Sequence, residues 1–275
     1  MNKLVIYVQR LKASMRNEEL AIVILSCDKF SSLWPLFFKR LNQHFPNSAD
    51  RFYLLSNNLN YEVDSHHSVQ VICVGNDISW SDNLMKLLNE IDEKNVLLLI
   101  DDAPFSVDVD IDKLRNHYDS FVKNNMNYLN LKGSPKADKN INQYFGEISP
   151  SKGYRTALVP ALWKKSILLS LLKSGESAWE FEVVGSERSG KYGDFFSVNK
   201  PIFTFDHIIV KGKIERRAFR KLKIKNEHLN IEFPVMSNWE FLKDYLSGWR
   251  SFLLALIVSD SILLYIRKIR YRKKE

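Results

Sequence analysis

The stretch VLLLIDD, from Val96 to Asp102, sets five apolar residues in a row directly before two adjacent carboxylates. An uninterrupted apolar run of this length predicts a strand buried on both faces, as in the parallel sheet of an α/β domain. Ligands of such sheets collect at the carboxyl ends of the strands. The sequence therefore predicts that Asp101 and Asp102 lie at the ligand-binding edge of a sheet.

Two carboxylates at that edge can hold a divalent cation through oxygen ligands, and the cation can in turn neutralise a diphosphate. This chemistry is typical of a nucleotide-sugar site. The alternative is that one Asp caps the next element while the other is solvated, because apolar runs followed by Asp occur in many α/β proteins.

The segment before the Asp pair repeats the pattern of buried strands followed by polar residues and amphipathic helices. We predict three further strands, at Ala21–Leu25, Arg51–Ser56 and Val69–Gly75. We also predict two helices, at Leu33–Phe45 and Trp80–Asp92, the second of which is capped by Ser81 or Asp82. This alternation predicts one half of a doubly wound sheet. Neither GxGxxG after the first strand nor GxxxxGK[ST] is present, which argues against the dinucleotide and P-loop classes.

The segment after the Asp pair contains a spaced acidic triplet, Asp108, Asp110 and Asp112. It imitates the start of an EF-hand loop, but its sixth position is Lys113 and its twelfth is Asp119. An EF-hand needs Gly and Glu there, so we exclude calcium and interpret Asp110 as a helix N-cap. Further on we predict a polar stretch at 124–153 and a strand at Tyr154–Val159. A helix at Ala161–Lys173 and a strand-like run, PIFTFD, follow.

Size and cysteine content indicate a globular protein. At 275 residues and 32.2 kDa, with 45% hydrophobic residues, the chain can bury one large core, or one core and an appendage. Cys27 and Cys73 both lie in apolar segments. We expect them to be small buried residues of a reducing compartment, neither a disulfide nor a metal site.

The net charge of +8 is concentrated near the C-terminus. The segment Lys211 to Lys225 contains eight Lys or Arg and one Glu, and Arg267 to Glu275 contains six and one. The rest of the chain is therefore mildly acidic. This distribution favours contact with an anionic surface over nucleic-acid binding.

The motifs and their order resemble those of bacterial GT-A glycosyltransferases that build capsule and lipopolysaccharide sugars. The segments that carry the resemblance, over Ala21 to Ile214, are AIVILSCD, WSDNLMKLL, VLLLIDDAPF, YRTALVPALWKK, GESAWEFEVVGSERS and DHIIVKGKI. The resemblance implies a single α/β domain with a mostly parallel central sheet flanked by helices. Its nucleotide-binding half would span residues 21–102 and its acceptor half residues 103–214. An N-terminal extension, 1–20, and a basic and apolar helical region, 215–275, would flank them.

The resemblance also implies a donor site. Ser26 and Asp28 match positions that touch the nucleotide, and Ser81 and Lys211 are assigned to the donor as well. Asp101 and Asp102 match the metal-diphosphate motif, which here reads DDAP instead of the typical Asp-x-Asp. His207 would complete a site for Mn²⁺ or Mg²⁺. The alternative for His207 is an ordinary structural histidine.

An inverting sugar transfer needs a carboxylate to take the proton of the acceptor hydroxyl. The segment AWEFE offers Glu182 and Glu180 for this role. Glu180 has a structural alternative, because Ser177 and Glu180 form a capping-box pattern. We therefore favour Glu182 as base, with Glu180 second. Trp179 is predicted to stack on an acceptor sugar, or else to pack in the core.

The leading hypothesis is a transferase acting on a lipid-linked or polysaccharide acceptor in bacterial surface glycan synthesis. One alternative is a nucleotidyltransferase acting on sugar phosphates, although no Gly-rich or basic phosphate loop follows Ile24. Another is a non-catalytic scaffold at a membrane.

The two ends of the chain bear on its location. The apolar run Leu4 to Val8 is too short for a signal peptide, so we expect no export. The run Ser251 to Ile266 is shorter than the ~20 residues of a spanning helix, and Ser259-Asp260-Ser261 interrupts it. Six cations follow it. This pattern predicts a protein peripheral on the inner face of the cell membrane; the alternative is a helix packed on the catalytic body.

Overall fold

A computed structural model describes residues 20–46, 48, 50–228 and 230–257 of the chain. Residues 1–19 of the predicted N-terminal extension lie outside the described residues. So does the end of the predicted membrane-binding tail, from residue 258 onwards, with its six cations.

One mixed sheet forms the centre of the part that the structure describes. Its strands are β1 (Leu20–Leu25), β2 (Arg51–Ser56), β3 (Val69–Cys73), β4 (Asn95–Ile100), β5 (Tyr128–Asn130), β6 (Lys139–Asn140), β7 (Phe145–Glu147), β8 (Ala161–Lys164) and β9 (Phe195–Val198). They lie side by side in the order β3-β2-β1-β4-β8-β5-β9-β7-β6. A separate antiparallel hairpin consists of β10 (Ile209–Val210) and β11 (Lys213–Ile214).

The long pairings of the sheet are parallel. Strands β1 to β4 are parallel throughout, and β5 pairs with β9 in the same sense. Strand β8 runs antiparallel between β4 and β5, and β7 runs antiparallel to β9 and β6. This confirms the predicted α/β class with a mostly parallel central sheet.

Helices cover both faces of the sheet. The described helices include α1 (Trp34–His44, after a 3₁₀ turn at Asp28–Leu33), α2 (Trp80–Glu90), α3 (Ile111–Lys123), α4 (Lys165–Leu171), α6 (Arg216–Ile224) and α7 (Asn238–Ile257). Helix α5 is continuous from Ala178–Glu180 through a π turn, Phe181–Gly185, to Ser186–Arg188. Among the described residues, no helix is both long and apolar enough to cross a membrane.

Two apolar cores result from the alternation of side chains along the strands. Ile22 and Ile24 of β1 face one core, into which α1 and α3 bury Phe37 and Phe121. The other face of β1, with Val23, packs against α2, α4 and α5. Because both faces are covered, the central strands carry the continuous apolar runs that made them visible in the sequence.

The predicted helices of the first half are confirmed, with one change at a helix start. The N-cap of α2 is Ser79, whose hydroxyl accepts the N–H of Asp82 at 3.1 Å. The prediction that Ser81 or Asp82 is the cap was wrong by two or three residues. Asp110 is confirmed as the N-cap of α3 and accepts the N–H of Lys113 at 2.9 Å.

The strand predicted at Tyr154–Val159 is wrong. The helix predicted at Ala161–Lys173 is also wrong in its first four residues, which form β8, and α4 covers only Lys165–Leu171; residues 154–159 are irregular. The reason is that the buried guanidinium of Arg155 donates to the carbonyls of Ile148, Ser189 and Tyr192. These bonds tie the segment to loops around α5 and leave it outside the sheet.

The cysteines are both free thiols, as predicted. Cys27 is half-buried, but Cys73 is exposed, so the prediction that both are buried is wrong for Cys73. Strand β3 lies at the edge of the sheet, and Cys73 is its last residue.

A substitution of Leu98 tests whether β4 lies in the core, because this side chain is fully buried. We predict that Leu98→Ala lowers the free energy of unfolding by about 2–5 kcal/mol, through lost burial and the cavity it leaves. Urea denaturation followed by circular dichroism measures the change. Ile78→Ala is the control, since Ile78 is 67% exposed. Equal stability of the two variants would contradict the assignment of β4 to the core.

Candidate active site

The carboxyl ends of β1, β2 and β4 meet at one edge of the sheet. Leu25 pairs with Ile100, and Ile24 pairs with Leu54. The residues that follow these strands, including Ser26, Asp28 and Asp101, therefore lie side by side. This is the edge at which the sequence predicts ligand binding.

Asp101 is buried beneath this edge, 3% exposed. The Ser26 hydroxyl donates a short hydrogen bond to its carboxylate, and the Trp34 indole N–H donates to the Ser26 oxygen at 2.7 Å. Burial is the main cause that raises the pKa of Asp101 to about 8; the hydrogen bond from Ser26 opposes the rise, and the neighbouring charge of Asp102 adds to it. The isolated protein therefore keeps a proton on Asp101 at neutral pH.

Asp102 lies closer to solvent than Asp101 and is half-buried. Burial raises the pKa of its carboxyl group to about 6. At neutral pH it is mostly ionised, so Asp102 is the member of the pair that carries negative charge at the edge. Its backbone carbonyl accepts the N–H of Ile208 at 2.8 Å.

That backbone bond belongs to a short antiparallel contact between residues 102–106 and 204–208. Phe105 and Phe205 form a bridge, and the N–H of Asp206 donates to the carbonyl of Pro104 at 3.0 Å. The contact places His207 opposite the segment that begins at Asp102.

The described residues contain no cluster of three or more His, Cys, Asp or Glu side chains able to hold a metal ion. Asp101 is buried and already bound to Ser26, which leaves Asp102 as the carboxylate that fits a cation. Mg²⁺ and similar ions commonly take one or two protein carboxylates and complete their shell with substrate phosphates and water. The residues therefore fit a cation that binds together with a diphosphate.

Asp28 holds the loop after β2. Its carboxylate accepts the backbone N–H groups of Asn57, Asn58 and Leu59 and the hydroxyl of Ser56. Burial acts to raise the pKa of Asp28, but these donors outweigh it and hold the pKa below its usual value. The Asp28 carboxylate is therefore occupied by hydrogen bonds within the protein, which hold this edge of the sheet in place.

Asn57 was missed by the sequence analysis. It is buried, its side-chain carbonyl accepts the N–H of Asp28 at 3.2 Å, and its side-chain NH₂ has no hydrogen-bond partner within the described structure. Buried donors are normally satisfied, so the unpaired NH₂ group of Asn57 is an exception at this edge of the sheet.

Two residues predicted to bind the donor lie elsewhere. Ser81 is fully buried, and its hydroxyl accepts the N–H of Glu176 at 3.0 Å, which ties α2 to the segment before α5. Lys211 lies in the turn of the β10–β11 hairpin and forms an ion pair with Asp244 of α7 at 2.7 Å. The structure does not bring either side chain into contact with the Asp pair.

A cavity of about 360 Å³ opens beside the end of β4. Its walls are mostly apolar, and Lys132 and His207 add the basic groups. His207 is exposed as a residue, yet desolvation of its ring, together with the charge of Lys132, lowers its pKa. A neutral imidazole at neutral pH suits either metal binding or hydrogen bonding.

The two glutamates of AWEFE have different surroundings. Glu180 closes a capping box, in which its carboxylate accepts the N–H of Ser177 at 2.7 Å, so its structural alternative is confirmed. Glu182 accepts the N–H of Leu158 at 2.9 Å. Burial raises the pKa of Glu182 above its usual value, and the bond from Leu158 and the charge of Lys132 oppose the rise. Trp179 is 68% exposed, so core packing is excluded for it.

Lys132 is a second residue that the sequence analysis missed. It follows the short strand β5, lines the cavity, and its charge lowers the pKa of both Glu182 and His207. The charge of Lys132 is therefore felt by both the favoured base and the histidine. Only its place in a polar, turn-rich stretch marked it in the sequence.

The known proteins to which this chain shows similarity are among the solved structures. No protein-family model matches the sequence, and no curated protein is significantly similar to it. Among the similar structures are those of TarS from S. aureus, at 11% identity and a TM-score of 0.44, and of TarS 1-349 with UDP-GlcNAc, at 12% and 0.45. Each comparison covers 88% of this chain. It covers 46% of the first TarS chain and 76% of the second, so the chain spans about half the length of the first.

The buried acid of Asp101 predicts a specific dependence of stability on pH. A carboxyl group whose pKa is raised on folding binds its proton more tightly in the native state, so stability falls as the pH rises from the unfolded pKa, near 4, through the native value of about 8. Asp101→Asn removes this loss. We predict that the variant equals the wild type in melting temperature at pH 4 and exceeds it by at least about 2 °C at pH 8.

Thermal unfolding followed by circular dichroism at the two pH values measures this difference. Asp138→Asn is the control, because hydrogen bonds and Lys152 outweigh burial and lower the pKa of Asp138. A variant of Asp101 that is less stable than the wild type at pH 8 would show that this carboxyl group is ionised in the folded protein.

Proposed function

We propose that the protein is a glycosyltransferase that moves a sugar from a nucleotide-sugar donor to an acceptor hydroxyl. The observation that carries this proposal is the adjacent pair Asp101 and Asp102 at the carboxyl end of buried β4, beside a cavity with Lys132 and His207 on its wall. A diphosphate placed at this edge meets a carboxylate that can share a cation with it, and two basic groups.

The donor would lie across the ends of β1, β2 and β4. Ser26 positions Asp101, Asp28 fixes the loop after β2, and the free amide of Asn57 can donate to the nucleotide. Mn²⁺ or Mg²⁺ would be held by Asp102 and the diphosphate, with His207 as a further ligand. Bound there, the cation would neutralise the charge on the departing diphosphate. Ser81 and Lys211 have no part in this proposal, because each is held in contacts away from the edge.

Glu182 is the proposed base of an inverting reaction. The acceptor oxygen attacks the anomeric carbon, the bond from that carbon to the diphosphate oxygen breaks, and the proton of the acceptor hydroxyl passes to Glu182. Its raised pKa supports this role, since a base works best when its pKa approaches the working pH. The exposed indole of Trp179, three residues earlier in α5, is available to stack on an acceptor sugar.

The acceptor class and location are part of the same proposal. We propose a lipid-linked or polysaccharide acceptor of bacterial surface glycan synthesis, of the capsule or lipopolysaccharide type. The basic region 215–275 would hold the enzyme on the inner face of the cell membrane. The apolar wall of the cavity next to the Asp pair supports an acceptor that carries an apolar group.

Slow hydrolysis of the donor tests the proposed reaction without a known acceptor. We predict that the protein releases UDP, GDP or CMP from one nucleotide sugar of a panel, and that Asp102→Ala lowers the rate by roughly 10²–10³, as loss of a transition-state charge does. Asp108→Ala is the control, since that carboxylate is 88% exposed. Release of pyrophosphate from a nucleoside triphosphate and a sugar 1-phosphate, with no hydrolysis of nucleotide sugars, would indicate a nucleotidyltransferase. Equal rates for wild type and Asp102→Ala would place the site elsewhere.

The pair Glu182 and Glu180 tests the base with a matched control. Glu182→Gln should remain folded and lose about 10²–10⁴ in transfer rate, the usual contribution of general base catalysis. Glu180→Gln should stay active and lose about 1 kcal/mol of stability, because it weakens a capping box. Transfer assays and urea denaturation on both variants give the result. The reverse pattern would move the base role to Glu180, and two active variants would leave the mechanism without its base.

A further inference from the structure

The outer face of helix α7 carries an apolar stripe that nothing in the described structure covers. Trp239, Leu242 and Leu246 are 63%, 44% and 56% exposed. They are spaced at i, i+3 and i+7 and so share one face of the helix. Isolated exposed leucines are common, but a tryptophan aligned with two leucines forms a contiguous apolar surface, which usually marks an interaction site. We call these three residues the α7 stripe.

The other side of α7 is anchored to the folded body. Asp244 forms its ion pair with Lys211 at the hairpin turn, and Glu240 is paired with Lys213 of β11. Glu240 also accepts the N–H of Ser237 at the helix start, at 2.8 Å. The helix is therefore fixed in orientation by polar contacts, and its apolar stripe faces away from them.

Helix α6 borders α7 and supplies a cationic edge. Its sequence, RRAFRKLKI, contains five cations and no acid. The guanidinium of Arg217 lies over the rings of Phe241 and Tyr245, at 5.2 and 5.8 Å from their centroids. Arg220 and Ile224 follow Arg217 at i+3 and i+7, so they extend the same face of α6. Ile224 is 83% exposed.

The surface formed by the α7 stripe and α6 has an excess of positive charge. The two carboxylates of α7 are both taken up by the hairpin lysines, as described above, while Lys243 lies over the Trp239 ring at 5.3 Å. Apolar side chains that include an aromatic ring, rimmed by cations, have the composition of helices that lie in the headgroup region of an anionic membrane. Two copies of this surface facing one another would oppose cation to cation, which disfavours self-association.

We propose that the α7 stripe and the cationic face of α6 dock the folded body on an anionic lipid membrane. This site differs from the apolar run beginning at Ser251, because the stripe ends at Leu246. The docked helices also adjoin the candidate active site, since Lys221 of α6 pairs with Asp206 at 2.6 Å, one residue before His207. The inference rests on the proposed function and deepens it: it names the surface within region 215–275 that binds the membrane and so brings the cavity to a lipid-linked acceptor.

Sedimentation with vesicles tests the proposal on the full-length chain. The probes are vesicles of phosphatidylcholine and phosphatidylglycerol in equal proportion, and vesicles of phosphatidylcholine alone. We expect the wild type to bind the anionic vesicles. Trp239→Ser/Leu242→Ser/Leu246→Ser should weaken that binding at least about tenfold, because the apolar anchor is lost. Arg217→Glu/Arg220→Glu should weaken the binding to anionic vesicles to a similar extent.

A matched control removes three exposed apolar residues elsewhere on the surface. In Ile78→Ser/Val107→Ser/Ile141→Ser the replaced residues are 67%, 50% and 48% exposed. This variant should bind vesicles like the wild type, and circular dichroism should report the same melting temperature for all variants. Binding of the stripe variant within twofold of the wild type would overturn the proposal. So would a wild type that stays in the supernatant, or a stripe variant whose only change is a smaller oligomer.

Donor hydrolysis, measured without vesicles, separates this inference from the proposed function. The stripe variant should hydrolyse the donor at the wild-type rate. Loss of vesicle binding with normal hydrolysis supports the docking surface. Vesicle binding by a protein that hydrolyses no donor would overturn the proposed function and leave the docking surface in place.

Discussion

The pairing of β1 with β4 is the constraint on which the rest of the site depends. It places Ser26 against Asp101 and forces a carboxyl group into a buried position beneath the edge of the sheet. Burial of an acid costs stability unless the group is protonated or compensated. The side-chain donors that the fold places at this acid are the Ser26 hydroxyl and the Trp34 indole, and together they do not offset its burial. Strongly shifted pKa values of this kind cluster at functional sites.

The first half of the fold was predictable because its elements are long and buried on a regular period. β4 has an unbroken apolar run, and α1 and α2 have apolar residues at helical spacing. The second half was predicted less well. Strands β5, β6, β7 and β9 have two to four residues each, too few to leave a periodic signal. At Arg155 the local apolar pattern indicated a strand, whereas a buried guanidinium and its carbonyl partners decide the structure.

Some features of the candidate site were likewise predictable from the sequence, and others were not. The Asp pair was predictable from its place after a buried strand, and the capping alternative for Glu180 from its spacing to Ser177. The fixing of the β2 loop by Asp28 was not, because the loop lies 28 to 31 residues further along the chain. Lys132 was missed for a similar reason. Its relation to Glu182 and His207 exists only after β5 is inserted between β8 and β9.

Binding of a nucleotide sugar to the wild type and to Asp102→Ala, measured by thermal shift with and without Mn²⁺, tests the central claim most directly. A ligand at about a hundred times its dissociation constant adds about 2.7 kcal/mol to the stability of the native state. We predict that at least one nucleotide sugar raises the wild-type melting temperature by about 5 °C or more with Mn²⁺ present. Asp102→Ala should show little of this shift. A shift of equal size in both proteins, or no shift with any nucleotide sugar, would contradict the account.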